Sequence, residues 1–375
     1  MIYLDNAATT FIKPECVLKK TCEALYKYSA NPGRSGHDLS VRAGEILYDT
    51  RAKLAKLFNI KNPERIVFCQ NTTDALNKGI KGVMARGGHI ITTSMEHNSV
   101  LRPIKALEKN GVTHSILTAS KNGELDLKRL EKMIRPDTKL IVMTHSSNVC
   151  GNVYDIKKAA DIAHRNNVLF MVDSAQSAGV FDIDCDFLDL LAFPGHKGLM
   201  APMGSGGLYV KEGIRIHPII EGGTGSVSES LAQPDFFPDM LESGTMNVPA
   251  IAGLGAACEF LSHIGTENIR NHEVSLRAYF EEKIERIKKV TIYGSEKKCG
   301  ICAFNIEGVD CVEVSRKLND EYGICVRSGL HCAPLAHKSL NTIDSGATRV
   351  SFGYFNTKKD ADICADAIYK ISKSV

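Results

Sequence analysis

VLFMVDSAQ, residues 168–176, sets five apolar residues in a row, closes them with a carboxylate, Asp173, and passes into a polar turn. A short continuous apolar run bounded in this way reads as a strand buried on both faces, as in a parallel sheet. Working outward, similar runs recur with helical patterns between them. RIVFC (65–69) precedes DALNKGIKGVM (74–84), HIITTS (89–94) precedes SVLRPIKALEKNG (99–111), and KLIVMTH (139–145) precedes IKKAADIAHRNN (156–167). LDLLAF (188–193) and GGLYV (206–210) follow VLFMVDS itself. The alternation predicts an α/β fold with a mainly parallel, doubly wound sheet between about residues 60 and 210. Ligands of such sheets collect beyond the carboxyl ends of the strands. Those ends carry NTT (71–73), MEHNS (95–99), HSSN (145–148), DSAQ (173–176) and PGHK (194–197).

After residue 255 the pattern changes to a long amphipathic helix, EVSLRAYFEEKIERIKKV, strands around TIYG, ICAFNIEG and ICVRSG, and a last helix, KKDADICADAIYKI. This predicts a second, smaller α+β domain. A chain of 375 residues, 43% hydrophobic and 24% charged, can bury a core of that size as a soluble protein. Its 46 basic and 43 acidic residues are spread without a basic block, which argues against nucleic acid or an anionic membrane as partner. The apolar stretch VPAIAGLGAACEFL is broken by Glu259, and MIYLDNAATT lacks the form of a secretory signal, so we expect a cytoplasmic protein. In a reducing compartment the 12 cysteines read mostly as small core residues. Cys299 and Cys302 form a C-x-x-C with no second pair at zinc spacing, and we expect a strand there and no metal site. GLGAAC (253–258) follows no strand and lacks a third glycine, which argues against a nicotinamide site.

The chemistry concentrates on a few strand ends. Lys197 lies in AFPGHKGLMAPMGSGGLYV, and Asp173 lies 197 − 173 = 24 residues upstream at the end of its apolar run. A carboxylate in that position is costly unless it meets a cation or hydrogen-bond donors. Pyridoxal phosphate needs such a pair: a lysine to form a Schiff base and a carboxylate on the pyridinium nitrogen, which keeps the ring an electron sink. Thr72 and Thr73 precede a helix and offer hydroxyls and a helix amino terminus to a phosphate, or simply cap that helix. His97 reads as a ring-stacking residue or a surface histidine, and Asn148 and Gln176 as donors to the ring oxygen or as turn-closing residues. RSGLHCAP (327–334) places Cys332 behind an arginine, a glycine and a histidine.

These residues carry a resemblance. YLDNAATT (3–10), NPGRSGH (31–37), NTTDALN, MEHNS, HSSNVCGN, DSAQS, GHKG, ESGTMN (242–247), RSGLHCAP and TRVSFGYFNT (348–357) occur in order along nearly the whole chain, which resembles the class V, fold-type I pyridoxal-phosphate enzymes, and among them the cysteine desulfurase and selenocysteine lyase family. The resemblance implies a large cofactor-binding domain over residues 15–255 and a small domain from residues 1–14 and 256–375 that carries the catalytic cysteine and the substrate-carboxylate arginine. It implies Lys197 as the cofactor lysine, Asp173 as the pyridinium partner, His97 as the stacking and proton-handling residue, and Asn148 and Gln176 at the ring oxygen. Thr72, Thr73 and His196 would hold the phosphate, with Thr245 reaching it from the second subunit of a homodimer. Arg349, with Asn148 and His37, would bind the substrate, L-cysteine or alternatively L-selenocysteine. Cys332 would take the sulfur as a persulfide and pass it to an acceptor protein or small thiol.

Arg349 follows Cys332 by 349 − 332 = 17 residues, a short connection that resembles the group II members. Three positions depart from the group II pattern: Pro194 stands for a common phosphate-binding serine, Leu330 for a histidine and Asn71 for a glycine. Arg327 and His331 are both candidates to activate the thiol. The rival readings are a class V aminotransferase or lyase without a catalytic thiol, and a non-catalytic sulfur carrier on the same fold. Cys332 argues against the first, and Lys197 with Asp173 against the second.

Overall fold

The computed structural model describes residues 1–33 and 36–374, so that Arg34 and Ser35 of the NPGRSGH motif lie outside the described residues. Its strands in chain order are β1 (Ile2–Tyr3), β2 (Ile66–Phe68), β3 (His89–Thr93), β4 (Thr113–Leu117), β5 (Thr138–Thr144), β6 (Leu169–Asp173), β7 (Leu190–Pro194), β8 (Gly206–Val210), β9 (Val290–Tyr293), β10 (Ile301–Ile306), β11 (Ile324–Cys325), β12 (Arg327–Gly329) and β13 (Ala347–Ser351). The helices are α1 (Glu15–Lys27), α2 (Asp38–Leu57), α3 (Thr72–Val83), α4 (Asn98–Leu107), α5 (Leu127–Lys132), α6 (Ile156–Arg165), α7 (Val248–Ile264), α8 (Thr266–Glu285), α9 (Cys311–Tyr322), α10 (Pro334–Ser339) and α11 (Lys358–Lys373).

Seven strands form the large sheet in the order β2-β8-β7-β6-β5-β3-β4. The run from β7 to β4 is parallel, as the alternating pattern predicts, and β8 is antiparallel to both its neighbours. The reversal has a simple cause. A parallel crossover needs about a dozen residues or more, and residues 195–205 between β7 and β8 turn back without a helix. Both faces of the sheet are covered. On β6, Phe170 and Val172 pack into one hydrophobic layer and Met171 into the other, each fully buried. Burying one such side chain contributes about 1.5–3 kcal/mol, and cutting Phe170 back to alanine would cost about 3–5 kcal/mol.

The carboxyl-terminal part builds a four-stranded antiparallel sheet, β12-β13-β10-β9. It is packed by α8, α9 and α11 around Phe280, Phe304, Leu318, Val350 and Ile368. The amino terminus belongs to this layer, because β1 pairs with β11 and Leu4 lies in the same core. Residues 5–13 then run across to the turn after β7: Asp5 bridges to Ser351, Gln176 donates to the carbonyl of Ala7 at 3.0 Å, and the Thr10 hydroxyl donates to the carbonyl of Lys197 at 2.7 Å.

α7 (Val248–Ile264) carries the stretch VPAIAGLGAACEFL, and most of its apolar residues are buried, with α1 and α2 packed against it. Among the described residues no single helix is long and apolar enough to cross a membrane. Gly253 and Gly255 of GLGAAC serve this packing. A Cβ on Gly253 would run into Thr21 of α1, and one on Gly255 would come within 2.6 Å of the Thr50 hydroxyl of α2. Cys302 of the C-x-x-C lies in β10 opposite Val350, and Cys299 is buried beside Ser146, whose hydroxyl donates to its sulfur at 3.3 Å.

Candidate active site

β6 delivers Asp173 to the carboxyl edge of the sheet, where it is 2% exposed. One of its oxygens accepts the N–H of Ala175 at 2.9 Å. Among the described residues no cationic side chain stands within ion-pair distance of it. Burial pushes its pKa up, and that N–H and the charge of Lys197 hold it back. Lys197 sits on the turn after β7. Burial pulls its pKa down to about 8, with Asp173 pulling upward and Arg349 and Arg327 downward. An amine so placed reaches its neutral, nucleophilic form near physiological pH.

His97 is the amino-terminal cap of α4, with its Nδ1 accepting the N–H of Ser99 at 3.1 Å. That bond assigns the proton of the neutral ring to Nε2. Burial first, and Lys197 and Arg327 after it, lower its pKa to about 4, so the ring is uncharged at neutral pH. The Ser99 hydroxyl lies 2.9 Å from His97 Nδ1 and 2.8 Å from the Thr73 hydroxyl, and so ties the α3 and α4 amino termini together. The cap of α3 is Asn71, whose side chain accepts the N–H of Asp74 at 3.0 Å. The capping reading of Thr72 and Thr73 is thereby replaced: they are the first two helical residues. Asn71 accounts for its own departure from glycine, since its extended backbone, φ −171°, suits any residue.

On the other wall, β12 and β13 place Arg327 directly opposite Arg349. Like charges in that relation repel, a cost that a shared anion would relieve. Arg349, 1% exposed, donates from Nη2 to Asp5 at 2.7 Å and from Nη1 to the carbonyl of Asn148 at 2.8 Å, while its Nε has no partner. A guanidinium has five N–H donors, which leaves Arg349 capacity for a carboxylate. Arg327 turns to the thiol: its Nη2 donates to Cys332 Sγ at 3.8 Å. This ranks the two activating candidates, because burial pushes His331 down to about 2 and leaves it neutral. Cys332 is exposed on the turn between β12 and α10. Its carbonyl accepts the N–H of Asn98, next to His97, at 2.7 Å, and the preceding carbonyl, of His331, accepts the Asn148 amide at 2.7 Å.

Cys332, Lys197, Asp173, His97, Asn148 and Arg349 are thus linked by hydrogen bonds or mutual charge into one cluster. His196 faces the amino-terminal segment, its Nδ1 3.0 Å from the Thr9 hydroxyl, and burial lowers its pKa to about 4. His37 caps α2 and is exposed, Thr245 is exposed, and among the described residues no hydrogen bond or ion pair joins either to this cluster. Pro194 closes β7 opposite Gly206. Asp5, Ser99 and Thr9 complete the site without having been singled out in the sequence. A buried carboxyl without an ion-pair partner, a deprotonable lysine and two threonines at the start of a helix that Asn71 already caps fit the demands of pyridoxal phosphate for its nitrogen, aldehyde and phosphate.

The model of the family described as aminotransferase class V matches residues 2–363. A probable cysteine desulfurase of Methanothermobacter thermautotrophicus is 34% identical over 99% of this chain and 94% of its own length. Among solved structures, the apo cysteine desulfurase of Thermococcus onnurineus superposes with a TM-score of 0.92 at 31% identity, covering 100% of this chain and 95% of that one. The Escherichia coli cysteine desulfurase CsdA, in an S-sulfonic acid form, gives 0.88 at 28% identity over 100% and 95%.

Proposed function

The chain belongs to the class V aminotransferase family, and from that premise we propose that it is a pyridoxal-phosphate-dependent cysteine desulfurase, converting L-cysteine to L-alanine and receiving the sulfur on Cys332. One observation carries the reading. The exposed Cys332 thiol is held by its own backbone to the α4 terminus beside His97, with the Arg327 guanidinium at 3.8 Å. When bound, the cofactor supplies an electron sink for the pair left at Cα after its proton is removed. The chain's residues do the rest. Asp173 would hold the pyridinium nitrogen, Thr72, Thr73 and His196 the phosphate, and the His97 ring would lie against the cofactor face. Arg349 would take the substrate carboxylate with its remaining N–H groups. The Lys197 amine would remove the Cα proton and return it. Cys332, as thiolate, attacks the substrate sulfur: an S–S bond forms, the Cβ–S bond breaks with its electron pair passing to Cβ, and Cβ takes up a proton. Cys332 is left as a persulfide, and an acceptor protein or small thiol regenerates it.

A homodimer belongs to the same proposal. It is supported by the exposed apolar side chains Leu18, Leu25 and Tyr26 on α1 and Leu39, Val41 and Tyr48 on α2, a surface that a monomer seldom leaves open. Thr245 would then reach the partner's phosphate site. Sedimentation should give twice the mass of one chain at assay concentration, and a fully active monomer would be the contrary result.

The test of function is alanine formation from L-cysteine, with and without a thiol reductant. Multiple turnovers are expected with reductant, and slower turnover without it, where excess L-cysteine is the one small thiol present to clear the persulfide. Cys332→Ser should keep the cofactor absorbance and lose alanine formation by about a hundredfold or more. Undiminished turnover would return Cys332 to the ordinary exposed thiols and favour a lyase or aminotransferase.

A further inference from the structure

The turn that presents Cys332 has a backbone its residues do not favour. The Leu330 carbonyl accepts the Ala333 N–H at 2.9 Å. The two residues between, His331 at φ 48° and Cys332 at φ 57°, both take the positive φ of a type I′ turn, where Asn-Gly is the ordinary choice. A residue with a Cβ pays about 1–2 kcal/mol in that region, so two in succession must be held from outside. The carbonyls of both are held, by Asn148 and Asn98.

The His331 ring is held too. Its Nδ1 lies 3.3 Å from Nε2 of His337, the ring planes are within 13°, and His337 Nδ1 lies 2.8 Å from the Thr342 hydroxyl. His331 is 2% exposed and His337 fully buried, and burial lowers their pKa values to about 2 and about 4. Two neutral imidazoles each have one donor and one acceptor nitrogen. Thr342, His337 and His331 therefore form a directed hydrogen-bonded line that ends one residue before the thiol. His337 itself comes from α10 and is held at its backbone, its N–H on the Ala333 carbonyl at 3.2 Å and its carbonyl under the Thr342 N–H at 2.8 Å.

We propose that His337 is a positioning residue for Cys332, acting through the His331 ring to keep the turn in the conformation that sets the sulfur against Arg327. The inference rests on the reading of Cys332 as the sulfur acceptor and deepens it. It makes a substrate-selective demand. Attack by a thiolate on the sulfur of L-cysteine depends on the thiol's placement, and a displacement of about 1 Å can cost a hundredfold. L-Selenocysteine has a weaker carbon–selenium bond, which can break with its electron pair passing to Cβ and selenium released at the elemental level, without attack by Cys332. A disturbance of the fold or of the cofactor site would slow both substrates. A disturbance of the thiol alone slows L-cysteine.

The experiment compares the holoenzyme with His337→Phe, which keeps a buried ring and removes both nitrogens, and with Thr342→Val, which removes the hydroxyl that orients His337 at nearly unchanged volume. For His337→Phe, kcat with L-cysteine should fall by about ten- to a hundredfold. KM for L-cysteine, cofactor absorbance and kcat with L-selenocysteine should stay within about threefold of the parent. Thr342→Val should show the same selectivity to a smaller degree. His337→Gln, whose amide can still meet His331, should recover part of the loss, and it carries the same comparison if His337→Phe does not fold. Equal losses on the two substrates, or no loss on L-cysteine, would overturn the inference. Cys332→Ser measured alongside keeps the two readings apart. If it abolishes L-cysteine turnover while His337→Phe leaves it intact, only the positioning role fails. If it remains active, the nucleophile assignment and this inference fall together.

Discussion

At the scale of single residues the site is defined by charge that burial has displaced. Lys197 has its pKa lowered to about 8 chiefly by burial, while Asp173 has its own raised by the same cause. The two oppose each other's desolvation without standing in ion-pair contact, which leaves each available to a third group. Covalent attachment of pyridoxal phosphate needs the neutral amine. The attachment rate of the apoprotein, followed by cofactor absorbance, should therefore rise with pH up to about 8 and level off there. A rate still climbing steeply at pH 10 would assign Lys197 the pKa of an ordinary lysine. These two residues were legible in the sequence because each follows an apolar run at a strand end, where a charge needs a reason. Asp5 was not. Its partner Arg349 lies 344 positions away, and only the pairing of Asp5 with Ser351 brings them together. Ser99 was hidden differently: it acts by linking Thr73 to His97, and a serine in a first helical turn gives no local sign of that.

At the scale of elements, the strands of the large sheet that are buried on both faces show in the sequence as continuous apolar runs. β4, THSIL, has an exposed and partly exposed face because it is the sheet's edge, and its weak pattern escaped notice. β13 was visible as a motif but not as a strand, since ATRVS places a buried arginine and threonine where a core strand would carry apolar residues. α1 and α2 also escaped, and the exposed leucines and tyrosines that blur their amphipathic pattern are those that support a dimer. Asn71 shows how a departure from a family's pattern is absorbed locally. A side-chain cap is worth about 1 kcal/mol to a helix. With Asn71 supplying it, neither threonine hydroxyl is needed as a cap: that of Thr73 meets Ser99, and that of Thr72 is left for a ligand at the helix's positive end. The glycines of GLGAAC resemble a dinucleotide turn only in one dimension; in the fold they are the thin side of α7, which lets α1 and α2 approach.

At the scale of the whole molecule, two buried carboxyls besides Asp173, neither in an ion pair among the described residues, make stability depend on pH. Glu273, on α8, lines a cavity of about 30 Å³ together with Lys197 and Gln176 from the large sheet and Cys299 and Gly300 from the small one. Burial raises its pKa to about 8. Glu96 behaves alike: burial raises it to about 8, although the Thr93 hydroxyl and the Thr144 N–H both donate to one of its oxygens. A carboxyl raised in the folded state holds its proton after the unfolded chain has released its own. Between the ordinary carboxyl range and about pH 8, rising pH therefore favours unfolding, by a few kcal/mol per group at the order of magnitude. The histidines act in the opposite sense lower down. His97, His145, His196 and His337 are lowered to about 4, so the unfolded chain binds more protons than the folded one from there up to about 6.5, and stability rises. The two effects separate above pH 6.5, where the histidines are neutral in both states. Denaturant midpoints of the holoenzyme should pass through a maximum near pH 6.5 and fall toward pH 8. Glu273→Gln, which removes the ionisation and keeps the shape, should flatten that fall by roughly half, because Glu96 remains. An unchanged slope in Glu273→Gln between pH 6.5 and 8 would mean that Glu273 meets water or a cation at the seam between the two sheets, and that the seam is looser than its packing indicates.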